Sequence, residues 1–140
     1  MRKAVAPESY VLDSSALLAL LSGEAGSTDV AAILHQARQG TQVLMAWVNA
    51  GEVAYIVERR WGLARACEVI AFLEASGIEL VEAGRQLALE AAHIKAGHAL
   101  AYADAFAAAL AMIQGATLVT GDPELKALET TLSIRWLRRD

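Results

Sequence analysis

Four acidic residues stand out by where they fall along the chain. Asp13 ends the apolar run Tyr10-Val11-Leu12, and Asp122 closes Leu118-Val119-Thr120-Gly121. Glu52 lies in Asn49-Ala50-Gly51-Glu52-Val53, and Asp104 in Tyr102-Ala103-Asp104-Ala105-Phe106, where its neighbours are apolar on nearly every side. A carboxylate in such surroundings must be paired, metal-bound or neutral, because an isolated buried charge is very costly. No Lys or Arg stands three or four residues from Asp104 to pair with it. Taken singly, each acid has a plainer use. Asp13 can cap a helix, Asp122 before Pro123 is a cap followed by proline, and Glu52 can be a solvated first-turn glutamate. The set is what suggests chemistry. Four carboxylates in one pocket repel each other and stay ionised together only around a cation. Hard oxygen ligands select Mg²⁺, with Mn²⁺ as the alternative. The reaction that uses such a site is metal-assisted hydrolysis of a phosphodiester, in which one ion activates water and a second stabilises the leaving oxygen.

The elements that must position these acids alternate along the chain. Strand-like runs fall at Tyr10–Leu12, Gln42–Ala46, Ile78–Val81, Ala116–Thr120 and Ser133–Leu137. Between them lie helical patterns at Ser14–Leu21, Thr28–Arg38, Asn49–Trp61, Leu63–Ala75, Gln86–Ala96 and Tyr102–Ile113, with a short turn of helix at Pro123–Leu128. Strands separated by helices predict a three-layer α/β/α sandwich around a mainly parallel sheet. Ligands of such sheets bind beyond the carboxyl ends of the strands, where Asp13 and Asp122 fall. Glu52 and Asp104 are expected in the first turns of helices that converge on the same edge.

Composition bounds the rest. The 140 residues predict one domain spanning 1–140, and 56 % hydrophobic residues exclude a disordered chain. Twelve Lys+Arg against 16 Asp+Glu give a formal charge of −4, which excludes a globally basic nucleic-acid binder. Setting Asp13, Glu52, Asp104 and Asp122 aside leaves as many acids as bases, so the net charge equals that of the four. Cys67 is the lone cysteine, so no intrachain disulfide can form, as suits a reducing cytoplasm. Met1-Arg2-Lys3 is not followed by an apolar run of signal-peptide length, and the apolar stretch Ala99–Ile113 is too short for a membrane span. His35, His93 and His98 lie outside the acidic motifs and are not expected to be catalytic. Trp47, Trp61 and Trp136 are expected to be core or dimer contacts.

With these residues in view, the chain resembles the PIN-domain family and, within it, the VapC-like toxins of bacterial and archaeal toxin–antitoxin pairs. The resemblance runs over nearly the whole chain in four motifs. These are Tyr10-Val-Leu-Asp-Ser-Ser-Ala-Leu-Leu, Val48-Asn-Ala-Gly-Glu-Val, Tyr102-Ala-Asp-Ala-Phe-Ala-Ala-Ala-Leu and Leu118-Val-Thr-Gly-Asp-Pro-Glu-Leu. It implies a Mg²⁺-dependent endoribonuclease with Asp13, Glu52, Asp104 and Asp122 as metal ligands. Thr120, Ser14 and the further acid Glu124 would support the site. It also implies a homodimer held inactive by a cognate antitoxin, with RNA as substrate.

Two other readings stay open: a catalytically silent PIN-like module that binds a protein or RNA partner, and a Mg²⁺-dependent phosphatase, disfavoured because no Asp-x-Asp nucleophile motif occurs. An acidic nuclease still needs cations to meet RNA phosphates. Arg59, Arg60, Lys95, Lys126, Arg135, Arg138 and Arg139 are the candidates, Lys126 foremost for its closeness to Asp122 in sequence.

Overall fold

The computed structural model describes residues 8–139, so the expectation for Met1-Arg2-Lys3 lies outside the described residues. Five short strands form the sheet: β1 (Ser9–Leu12), β2 (Gln42–Ala46), β3 (Glu79–Val81), β4 (Thr117–Thr120) and β5 (Ile134–Trp136). Their order is β3-β2-β1-β4-β5, and every pairing is parallel. The connections are α1 (Ser14–Ser22), α2 (Ser27–Arg38), α3 (Trp47–Trp61), α4 (Leu63–Ala75), α5 (Arg85–Gly97), α6 (Tyr102–Gln114) and a 3₁₀ turn at Pro123–Leu128.

Residue alternation on the strands builds both faces. Tyr10, Leu12, Val43, Met45 and Val119 join one core with residues of α1 to α4. Val11, Leu44, Ala46 and Leu118 face the other way and meet α5 and α6. In α6 every residue from Asp104 to Ala111 is buried, as its all-round apolar sequence requires. The predicted three-layer α/β/α sandwich is therefore what forms. Among the described residues no single helix is long and apolar enough to cross a membrane.

The strand order sets the functional edge. The chain winds from β1 outward through β2 and β3, then crosses back to lay β4 on the other side of β1. Where the winding reverses, the carboxyl ends of β1 and β4 diverge and leave a crevice between the connections that follow them. Asp13 and Asp122 stand there.

One expectation is corrected and another narrowed. Helix α3 begins at Trp47, two residues before the predicted start, and its cap residue Ala46 contributes no side-chain bond. Glu52 therefore lies beyond the first turn. Trp61 is 54 % exposed, which removes the core from the two uses expected of it and leaves the dimer contact; Trp47 and Trp136 are half-buried.

Beyond β5 the chain is held at two further points. A Cβ on Gly26 would lie 2.9 Å from Leu137 Cβ, so the start of α2 can press against the strand's continuation only because residue 26 has no side chain. Arg138 then reaches Asp29 in α2 with Nη2 at 3.3 Å and Nε at 3.5 Å.

Candidate functional site

The crevice is built from the first residues after β1 and β4 and from the starts of α3 and α6. Asp13 is 1 % exposed and N-caps α1. Its Oδ1 accepts from the Ala16 amide at 2.9 Å and from the Ser15 hydroxyl at 2.6 Å, and its Oδ2 accepts from the Thr120 hydroxyl. Burial pushes its carboxyl up from 3.8 to about 6, against the pull of these three donors and with a smaller push from Asp122.

Ser15 carries more of this wall than its place in the sequence suggests. Besides Asp13, its oxygen lies 3.3 Å from Thr120 Oγ1 and accepts from the Gly121 amide at 3.0 Å. The Thr120 hydroxyl also accepts from the Asp122 amide at 3.0 Å. These bonds tie the loop after β4 to the loop after β1. Ser14, the expected supporting hydroxyl, turns instead toward α3 and donates to the Asn49 carbonyl at 3.2 Å.

Facing Asp13 are Asp104, Asp122 and Glu124. Each offers a carboxylate oxygen, and the three oxygens lie within 4.8 Å of one another. Asp104 is buried in the first turn of α6, Asp122 is half-buried as the cap of the 3₁₀ turn, and Glu124 is exposed. Asp122 Oδ1 accepts from the Glu124 amide at 3.0 Å, so its capping use holds beside any other. Glu124 Oε2 accepts from the Ala101 amide at 3.2 Å, which links the 3₁₀ turn to the segment leading into α6. Burial raises the Asp104 carboxyl first, and the Asp122 carboxylate second, with Asp13 and Glu124 adding to the push; it rises to about 8. Without a cation this corner therefore keeps a proton near neutral pH.

Glu52 is half-buried on α3 and does not belong to the three-oxygen group. Helix α3 is nevertheless fastened to the crevice by Asn49, which is fully buried. Its Nδ2 donates to the Ala103 carbonyl at 3.0 Å and lies 3.4 Å from Ser14 Oγ, while its Oδ1 has no protein partner. Asn49 thus joins the starts of α1, α3 and α6, next to Asp13 and Asp104 in the chain. Ser15 and Asn49 are the two positions that sequence reasoning missed. The only signals were the paired hydroxyls after Asp13 and an amide in an otherwise apolar helix start.

The oxygens of Asp104, Asp122 and Glu124 fit a hard divalent cation in chemistry and in spacing, with Asp13 beside them. None of the histidines joins the group: His35 and His93 are exposed, and His98 Nδ1 lies 3.0 Å from the Ile94 carbonyl. Lys126 is exposed on the 3₁₀ turn.

A model of the PIN domain matches residues 10–130. Comparison with curated proteins yields no match. Among solved structures, VapBC2 from Rickettsia felis bound to a DNA fragment from their promoter is similar over 93 % of this chain and 99 % of that one. The TM-score is 0.71 and the identity 14 %. VapC20 of Mycobacterium tuberculosis, described as a sarcin-ricin loop cleaving toxin, aligns over 88 % of this chain and 95 % of its own, with TM-score 0.71 and 18 % identity. DNA-bound VapBC from Salmonella typhimurium aligns over 91 % and 97 %, with TM-score 0.68 and 17 % identity. At these identities the likeness is one of fold.

Proposed function

This chain belongs to the PIN domain family, and we propose on that footing that it is a metal-dependent endoribonuclease, the toxin of a toxin–antitoxin pair. The observation that carries the reading is the convergence of Asp104, Asp122 and Glu124 oxygens within 4.8 Å, beside buried Asp13, at the crevice where the sheet reverses. The fold likeness to VapBC complexes and to a toxin described as sarcin-ricin loop cleaving supports it.

Asp13, Asp104 and Asp122 would hold Mg²⁺ or Mn²⁺, with Glu124 completing the set and Glu52 reaching it from α3. An ion held there would supply an activated water and charge neutralisation at the scissile phosphate, the chemistry that would leave a 5′-phosphate and a 3′-hydroxyl. The chain's own part is to fix the ligands. Thr120 and Ser15 hold Asp13 in one orientation, and Asn49 sets the start of α6 against that of α1. Burial of Asp104 keeps bulk water from competing for its oxygens. No side chain is asked to form a covalent intermediate. The same reading carries a cytoplasmic homodimer, with a cognate antitoxin covering the acidic crevice.

The test is cleavage of structured RNA by wild type, Asp13→Asn and Asp104→Asn, with Mg²⁺ and then with EDTA. Wild type with Mg²⁺ is expected to cut, and the other combinations to lose at least ~10²-fold in rate, the scale of a lost electrostatic contact to a transition state. Equal cleavage in all of them ends the proposal. One observation favours a second reading. Asp13 and Asp122 are both used as helix caps, as a silent binding module would use them. Such a module gains no thermal stability from Mn²⁺, whereas a metal site raises the melting temperature by mass action.

A further inference from the structure

At Gly121, the residue before Asp122, a surface cavity of about 500 Å³ is lined by Glu24, Ala25, Gly121, Arg138 and Arg139. Its two arginines differ in what they already hold. Arg138 is paired with Asp29. Arg139 forms no ion pair among the described residues, and its Nη2 donates instead to the Gly121 carbonyl at 2.8 Å. That carbonyl sits between Thr120, which holds Asp13, and Asp122. A guanidinium has five donors in a fixed fork and no way to lose its charge. One of the five is committed to Gly121, and the rest of the fork is left for a ligand.

The position of Arg139 is not that of a loose surface arginine. Strand β5 is registered on β4 as far as Trp136 opposite Thr120, and Leu137 donates its amide to the Thr120 carbonyl at 2.9 Å. Leu137 is seated against Gly26, and Arg138 is tied to Asp29. The chain therefore delivers Arg139 to Gly121 along a path fixed at each preceding residue. A polyanion whose scissile phosphate sits at the acids needs a cation for a neighbouring phosphate, because the acids repel the strand on their own.

We propose that Arg139 binds a backbone phosphate of the RNA strand next to the one that is cut, forming an anion subsite over Gly121. The proposal rests on the nucleic-acid reading given above. Arg139 donates to the phosphate oxygens through the part of its fork not used by Gly121, and contributes no base selectivity. Glu24, which lines the same cavity, opposes the anion and limits its affinity. Lys126, closer to Asp122 in sequence, lacks this anchoring.

The experiment is fluorescence anisotropy of a 5′-fluorescein single-stranded RNA across a salt series, with Ca²⁺ replacing the catalytic ion, on wild type, Arg139→Ala, Arg139→Lys, Glu24→Gln and Lys126→Ala. Arg139→Ala is expected to weaken binding roughly 5-fold at low salt and to lower the slope of log affinity against log salt by about 0.7, one single-strand phosphate contact. Arg139→Lys keeps the slope, Glu24→Gln tightens binding, and the Mn²⁺-induced rise in melting temperature stays as in wild type. An unchanged affinity and slope in Arg139→Ala overturns the subsite, including the case where only Lys126→Ala moves them or where Arg139→Ala weakens a protein partner alone. Arg139-dependent binding without Mg²⁺-dependent cleavage keeps the subsite and removes the nuclease reading. Cleavage with no Arg139 effect does the reverse.

Discussion

Asp13 and Asp104 are the same residue type at the same edge of the same sheet, and both are buried, yet the chain treats them in opposite ways. Asp13 is met by three donors, from Ser15, Ala16 and Thr120. Asp104 is met by carboxylates, Asp122 and Glu124. Burial raises both carboxyls, but donors restrain the rise at Asp13 while like charges compound it at Asp104. The fold itself supplies donors that offset part of the cost of burying the first wall of the crevice. The second wall is satisfied only by a proton or by something that comes from outside the chain.

The sharpest way to break that contrast is to truncate each acid. Asp13→Ala removes a helix cap and leaves the buried Thr120 hydroxyl, the half-buried Ser15 hydroxyl and the Ala16 amide without their acceptor. It should cost about 2–4 kcal/mol in a denaturant melt. Asp104→Asn replaces a carboxyl that already holds its proton near neutral pH by a neutral group of the same shape, and should leave the metal-free protein about as stable as wild type there. A larger loss for Asp104→Asn than for Asp13→Ala would mean that the donors at Asp13 do not hold the fold.

Metal addition reads the second wall directly. At one hundred times its Kd, Mn²⁺ should stabilise wild type by about 2.7 kcal/mol, and Asp104→Asn should lose most of that gain. The pH dependence has the same origin. The folded carboxyls of Asp13 and Asp104 rise from 3.8 to about 6 and about 8. Each therefore binds its proton more tightly folded than unfolded. The stability these two carboxyls contribute to the metal-free protein is full below about pH 4, falls as both lose it up to about 6, and falls further through Asp104 alone up to about 8. Asp104→Asn should erase the upper step in a melting series, and saturating Mg²⁺ should flatten both. Stability that climbs over this range instead would contradict the raised carboxyls.

The smallest effect tests the path that leads to the crevice from outside. Gly26→Ala places a Cβ against Leu137 and should cost about 1–2 kcal/mol by overpacking. The backbone of Gly26 is ordinary, at φ −71°, so a cost is due to space alone. A neutral result would show that the segment after β5 shifts freely.

What the sequence made legible follows from range. Asp13 and Asp122 announced themselves because an apolar strand ends just before each, a pattern within a few residues. Asp104 was visible because α6 is apolar on all sides. The strand–helix alternation was enough for the layers, but apolar type alone did not say whether Trp61 packs in the core or stands outside it, because that depends on which face of α3 meets the sheet. The start of α3 was misplaced because Ala46 caps nothing with its side chain, so no local mark exists there. Ser15 was passed over for Ser14 because the bonds that distinguish them reach Thr120 and Gly121, more than a hundred residues away. The anchoring of Arg139 on Gly121 is of the same long-range kind.

The pairing of β1 with β4 also governs when the crevice can exist. Asp13 is made early, but its partner Thr120 lies 107 residues later, and β2 and β3 are laid down between them. Contacts of such separation form late, after the loop entropy between them has been overcome. A chain still emerging from the ribosome holds Asp13, Glu52 and even Asp104 without the strand that brings Asp122 to them. An acidic crevice built this way stays incomplete until almost all of the sheet has been translated.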